Sequence, residues 1–344
     1  MALTFLQRVE NAHIFTRAEA EAVMEELLSG RVQTPEIVRL LRALNQRPVR
    51  VAELAGFACV MRRHAAAVFA DGETRPAGMV DTCGTGGDGF NAFNISTASA
   101  IVAAAAGARV AKHGNRAASS RCGSADVLEA LGVRVDGPLP QMGRAIRELG
   151  IGFLFAPAAH AATRHAVPAR KEISVRTIFN LLGPLTNPAG AQAQVLGVFS
   201  AEVIDLVAET LAELGVERAF VVYGAGGLDE ISLAGETLVA EVRHGGVRRY
   251  VVTPEEFGVS PAPLGAVQGG APAENAAIIR GILAGEMGPR RDIVVANAAA
   301  ALVACSAADS FLEGAKLAGG VLSSGAAREK LSALAAFAGN PQIV

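Results

Sequence analysis

Apolar residues in the first seventy positions recur at helical spacing, with no alternating stretch between them. Thr16 followed by Glu19 has the spacing of a capping box, and Gly30 offers a stop, which together predict a helix. Thr34-Pro35 predicts a second start, with the threonine as cap and the proline in the first turn. A third apolar-periodic run covers Val51–Phe69. The segment Asp71–Ala77 is rich in turn formers and reads as a linker.

Beyond the linker the period changes. Met79-Val80 predicts a short strand before a glycine-rich loop, Ser96–Ala106 a helix, and Arg109–Ala111 another strand. Ser124–Leu131 reads as a helix ended by Gly132, and Gln141–Leu149 as one stopped at Gly150. The strand Ile151–Phe155 follows, and Gln194–Phe199 and Ala219–Tyr223 are strands on either side of a helix over Ala201–Leu214. His160–Asn180 interrupts this alternation as helix and loop, placed to fold back onto the N-terminal helices. Leu238–Tyr250 predicts a hairpin, and the chain from Asn275 onward is mostly helical. The expected fold class is α/β: a small all-helical N-terminal domain, then a large α/β domain with a mostly parallel central sheet and surrounding helices. Residues 1–72, joined by an insertion at about 160–182, would form the first domain and residues 78–344 the second.

Composition narrows the function classes. A chain of 344 residues, 51% hydrophobic, can bury a sizeable core, while the 5% aromatic content without tryptophan favours tight helix packing over an aromatic ligand cage. The net charge of -2 predicts no affinity for nucleic acid or an anionic membrane. Cys59, Cys83, Cys122 and Cys305 lie far apart with no C-x-x-C pair, which fits a reducing compartment. Met1–Glu10 lacks a signal-peptide pattern, and apolar stretches such as Ala98–Gly107 are too short to span a bilayer. A cytoplasmic protein without a membrane partner is expected.

The densest chemical signal is Asp81-Thr82-Cys83-Gly84-Thr85-Gly86-Gly87-Asp88-Gly89. Glycines between a strand and a helix let backbone N–H groups converge on a phosphate with no Cβ in the way. Asn94-Ile95-Ser96-Thr97 then opens a helix, whose free N–H groups and positive dipole end also favour anions. From Gly89 to Ala125 there is no carboxylate, yet the stretch holds Arg109, Lys112, His113, Arg116 and Arg121. Such an excess in a nearly neutral chain predicts an anion pocket. A dinucleotide site is excluded by the glycine spacing and by the lack of an acid some twenty residues on; a P-loop is excluded because no lysine–hydroxyl pair follows the glycines. Asp229-Glu230, after a strand and the turn Gly224-Ala225-Gly226-Gly227, are suited to a hard cation such as magnesium.

These motifs together, with Gly123-Ser124-Ala125-Asp126, Arg176–Pro184 and Gly227–Ser232, resemble the anthranilate phosphoribosyltransferase family over essentially the whole chain. The resemblance implies transfer of the ribose phosphate of phosphoribosyl pyrophosphate (PRPP) to anthranilate, in tryptophan biosynthesis, by a homodimer built through its helical domain. It further implies that PRPP is held by Gly84, Gly87, Asp88, Asn94, Ile95, Ser96, Thr97, Lys112, His113, Gly114, Asn115, Arg116, Ala117, Ala118, Ser119, Ser120 and Ser124. Anthranilate would contact Gly84, Asn115 and Arg170, and Ser96, Asp229 and Glu230 would hold magnesium, as a pair of ions per subunit. Arg170 also makes independent sense, because a guanidinium pairs bidentately with a carboxylate. No residue is expected to act as acid, base or nucleophile; positioning and electrostatics would carry the reaction. Three places depart from the family pattern: Ala92 replaces a usual threonine, Lys171 a common arginine, and His160-Ala161-Ala162-Thr163 the usual histidine–proline arrangement. They predict a difference in acceptor affinity before one in PRPP binding. Rival expectations are a pyrimidine-nucleoside phosphorylase, whose lysine–serine phosphate signatures are not evident, and a non-catalytic nucleic-acid-binding relative, against which the charge argues.

Overall fold

The structure, a computed structural model, describes residues 5–70, 72–117 and 120–339. A seven-stranded sheet organises it, with strands β1 (Met79–Gly84), β2 (Arg109–Gly114), β3 (Ile151–Phe155), β4 (Ala193–Gly197), β5 (Arg218–Gly224), β6 (Thr237–Arg243) and β7 (Gly246–Val252). Their order is β3-β2-β1-β4-β5-β6-β7. The first five run parallel, and β6 and β7 add an antiparallel hairpin. Strand order reverses at β1, so a crevice opens beyond the carboxyl ends of β1 and β4, where open parallel sheets place ligands.

Alternation along the strands divides the core in two. On β5, Phe220 and Val222 face one cluster while Ala219 and Val221 face the other. The first cluster is roofed by the helices Ile95–Ala105, Pro289–Ala304, Phe311–Ser323 and Ala326–Gly339. The second takes in the N-terminal helices Arg17–Leu28, Thr34–Asn45 and Val51–Arg63 and the helix Ile204–Glu213. Ala166, Ala169, Ile178, Phe179, Leu181 and Leu182, from a returning segment of short helices, are buried in that second cluster as well.

Several sequence expectations need correction. Thr34 is the first helical residue and not the cap; Glu36 reaches back to accept the N–H of Gln33 instead. The third run stops at Arg63, because Val68 and Phe69 turn away to join the α/β core, where the Val68 carbonyl lies against Gly143. Strands β1 and β2 run on to Gly84 and Gly114, past the apolar residues that predicted them. The extensions bury polar side chains, and Asp81 and Lys112 find partners on the neighbouring strand or a later segment. Asp81 accepts the N–H of His113 at 3.1 Å and an amide hydrogen of Asn187 at 2.8 Å. Elsewhere, Ala201–Val203 is a 3-10 turn before its helix, and β4 begins at Ala193 and ends at Gly197.

Candidate active site

The crevice is built from glycines that admit carboxylates. A Cβ on Gly84 would lie 2.8 Å from Asp229 Oδ2, and one on Gly197 would lie 1.5 Å from the Asp229 carbonyl oxygen. Only glycine permits this approach of the loop after β5 to the ends of β1 and β4. Within the glycine loop, Gly86, Gly87 and Gly89 all have left-handed φ, from 63° to 80°. Gly86 donates its N–H to Asp229 Oδ2 at 3.0 Å, and Ser96, in the first turn of its helix, donates its N–H to Glu230 Oε1 at 3.1 Å. The two acids thus sit on amides suited to anions.

Burial pushes the Asp229 carboxyl up to about 7, helped by the neighbouring Asp88, and raises Glu230 for the same reason, helped by Asp229. Among the described residues, no three His, Cys, Asp or Glu side chains group as a ready-made metal site. Two desolvated carboxylates side by side, with Ser96 bonded through its amide to one of them, nonetheless fit a hard oxygen-seeking cation, which would relieve their mutual repulsion.

Lys112 lies beneath this floor. Its Nζ donates to the Thr82 carbonyl at 2.6 Å and to Ser96 Oγ at 3.3 Å, and the residue is 3% exposed. Burial lowers its pKa, while the charges of Asp81 and Glu230 oppose that shift. Its Nζ therefore reaches the crevice from below, through the serine.

The other expected residues divide. Gly84, Gly87, Asp88, Ser96, Lys112, Asp229 and Glu230 come together at the crevice. Ile95 and Thr97 are buried in the helix. Asn94 spends its side chain on the Cys122 carbonyl and on Asn275. Gly114 and Ser124 pack together, a Cβ on the glycine meeting Ser124 Cβ at 3.0 Å. Asn115, Arg116, Ala117 and Ser120 are exposed beyond β2, and Ala118 and Ser119 lie outside the described residues. The basic excess read from the sequence is smaller in space. Arg109 begins β2, at the opposite end of the sheet, and Arg116 is paired with Glu129 at 2.6 Å and Asp126 at 3.2 Å. His113 is interior: its ring meets His160 edge-on at 5.2 Å, its Nε2 has no partner among the described residues, and burial lowers its pKa to about 3.

Arg170 lies on the helix Val167–Ile173, half-buried, with its guanidinium 5.2 Å from the centre of the Phe179 ring. It forms no ion pair among the described residues, and burial alone lowers its pKa. Sequence reasoning missed Arg176, whose guanidinium donates to the Gly87 carbonyl and lies 4.4 Å from the centre of the Phe199 ring. Nothing in local spacing connects residue 176 to residue 87; only its place in a recognisable motif marked it. Of the departures, Ala92 forms an isolated bridge with Gln268, Lys171 is exposed, and His160 is buried with Nε2 donating to the Thr186 carbonyl at 2.9 Å.

Comparison with known proteins adds to this geometry. The helical bundle domain of the glycosyl transferase family matches residues 3–65, and its a/b domain matches residues 76–328. An anthranilate phosphoribosyltransferase of Pelotomaculum thermopropionicum is 50% identical over 335 residues, covering 97% of this chain and 96% of its own. The crystal structure of the anthranilate phosphoribosyltransferase from Thermus thermophilus superposes with a TM-score of 0.91 at 48% identity, over 97% of this chain and 98% of that one. The Saccharomyces cerevisiae enzyme in complex with PRPP and Mg gives a TM-score of 0.85 at 27% identity, over 94% and 93% of the two chains. In a further structure that yeast enzyme binds 4-fluoroanthranilate, with a TM-score of 0.82 at 26% identity and the same coverage.

Proposed function

The chain belongs to the anthranilate phosphoribosyltransferase family, and from that premise we infer that it transfers the 5-phosphoribosyl group of PRPP to the amine of anthranilate in tryptophan biosynthesis. The observation that carries the site assignment is the convergence of Asp229, Glu230 and the amides of Gly86 and Ser96 in one crevice. Asp229, Glu230 and Ser96 would hold magnesium, as a pair of ions per subunit, and bound magnesium supplies positive charge to a leaving pyrophosphate. The amides of Gly87, Asp88 and Gly89, which have no partner among the described residues, orient the diphosphate, and the buried Lys112 cation favours negative charge above it. Arg170 takes the anthranilate carboxylate, with Gly84 and Asn115 completing the acceptor site.

In the reaction the C1–O bond to pyrophosphate breaks and its electron pair leaves with the pyrophosphate. The amine nitrogen bonds to C1 and releases its proton to solvent. An aromatic amine is uncharged near neutral pH, so no strong base is required, and His113 is too deeply buried to serve as one. Alignment of the amine with C1 and exclusion of water carry the rate.

The same proposal places the helical unit at residues 1–72 with 160–182 and the catalytic unit at 78–344, and makes the protein a cytoplasmic homodimer. The pairing rests on the family likeness, and the four unpaired thiols support a reducing compartment. No helix among the described residues is long and apolar enough to cross a membrane. The decisive assay follows loss of anthranilate fluorescence when PRPP and magnesium are added. Turnover that EDTA abolishes supports the reading; no turnover by folded protein refutes it.

A further inference from the structure

Arg176 stands apart from the other cations near the crevice. It is exposed, and among the described residues it forms no ion pair. Its guanidinium lies against the glycine loop: a Cβ built on Gly87 would meet Arg176 Nε at 3.4 Å. The Phe199 ring, just beyond β4, supports the guanidinium from one side. Phe199 is itself tied to the loop, since its N–H donates to Thr85 Oγ1 at 3.0 Å. One hydrogen of the fork is used on the Gly87 carbonyl, which leaves most of its donors unpaired among the described residues.

The loop beside it is equally unsatisfied. Thr85 and Gly86 donate their N–H groups to the Gly197 carbonyl and to Asp229, but those of Gly87, Asp88 and Gly89 have no partner among the described residues. The one negative group in the loop, Asp88, accepts the Phe90 N–H at 3.1 Å. Three successive free amides beside a guanidinium with most of its donors unused form a donor surface suited to a polyanion with several oxygens.

We propose that Arg176 is a diphosphate-binding residue, held by Phe199 above the glycine loop so that its fork and the amides of Gly87–Gly89 grip the same anion. The proposal rests on the phosphoribosyl-transfer reading and adds a contact to it. It also gives the returning segment two duties. Arg170 and Arg176 lie on the same returning segment, one facing the acceptor carboxylate and the other the donor diphosphate. The carbonyl of Arg176 is in turn held by Asn45 Nδ2 at 2.8 Å, at the end of the helix Thr34–Asn45. A diphosphate held by Arg176 would thus touch a segment hydrogen-bonded to the helical layer.

The test is calorimetry of inorganic pyrophosphate, with excess magnesium, on the full chain and on Arg176→Ala and Arg176→Lys, beside steady-state kinetics. Arg176→Ala should bind pyrophosphate about thirtyfold more weakly, the scale of a lost charge-assisted hydrogen bond. Its KM for PRPP should rise in step, while its KM for anthranilate at saturating PRPP stays within about twofold. Arg176→Lys keeps the charge but not the fork and should fall in between. Asn45→Ala is the control for a purely structural role, and should lower the melting temperature without this split. Pyrophosphate affinity within about twofold of wild type in folded Arg176→Ala overturns the assignment; if that variant does not fold, unchanged affinity in Arg176→Lys overturns it. Failure of wild-type protein to take up either PRPP or pyrophosphate refutes the underlying reading instead.

Discussion

Replacing Arg170 with alanine should separate binding from stability. The guanidinium is half-buried, lies over Phe179 and has no ion-pair partner among the described residues, so folding has already removed part of its hydration without compensation. Its pKa is lowered, which means that the charged form is disfavoured in the native state. Deleting it loses a cation–π contact of about 0.5–1 kcal/mol but also removes that desolvation cost. The two nearly cancel, and the melting temperature should stay within a few degrees. Binding is different, because a carboxylate bound there would supply the missing counter-charge. A charge-assisted hydrogen bond contributes about 1.5–3 kcal/mol. At about 1.4 kcal/mol per decade, the KM for anthranilate should rise roughly 10- to 150-fold, with the KM for PRPP little changed. Arg170→Lys should lie partway. Anthranilate fluorescence measures both KM values, and differential scanning calorimetry the stability. An unchanged anthranilate KM, or a loss of stability large enough to unfold the protein, would refute the reasoning.

Gly197→Ala drives a Cβ to 1.5 Å from the Asp229 carbonyl, so the loop after β5 must move; activity should be lost and stability should fall by about 1–3 kcal/mol, read by urea titration. Buried His113 is held neutral, with its pKa lowered to about 3 from an ordinary 6.5. Its contribution to stability is therefore complete above pH 6.5 and lost as pH falls toward 3, at up to about 1.4 kcal/mol per unit. His113→Asn should flatten that part of the stability–pH curve between about pH 6 and 4, and an unaltered slope would count against it. Asp229→Asn should abolish magnesium uptake by calorimetry and also weaken pyrophosphate binding when magnesium is present; retained uptake would remove Asp229 from the metal set.

What was legible in the sequence follows from what each signal measures. Hydrophobic periodicity found the α/β alternation and the C-terminal helices, but it could not see strand ends made of Asp81, Lys112 and His113. Those residues are buried because each finds a partner on a neighbouring strand or a later segment, as Asp81 does with Asn187. Phe69 was read as helical because apolarity does not say which core a residue joins. The glycine loop and the acid pair were visible because their chemistry is local. The charge of Arg116 was misread, since its partners Asp126 and Glu129 stand just outside the acid-free stretch and come back by one helical turn. Arg176 was invisible as a loop partner because 89 positions separate it from Gly87, a contact that only the returning segment creates.

The helices Ile95–Ala105 and Pro289–Ala304 meet through alanine and serine, with Ser99 Oγ 3.3 Å from the Val294 carbonyl. Surfaces this close leave no room for a longer side chain, so the amide end that carries Ser96 cannot be re-aimed by gradual substitution. The short helix bearing Arg170 is less constrained on its exposed side, where Lys171 and Glu172 face solvent. Inheritance should therefore conserve the sugar-donor half of such an enzyme while letting the aromatic half drift, and laboratory selection for new aminobenzoates would do best to leave the alanine seam alone.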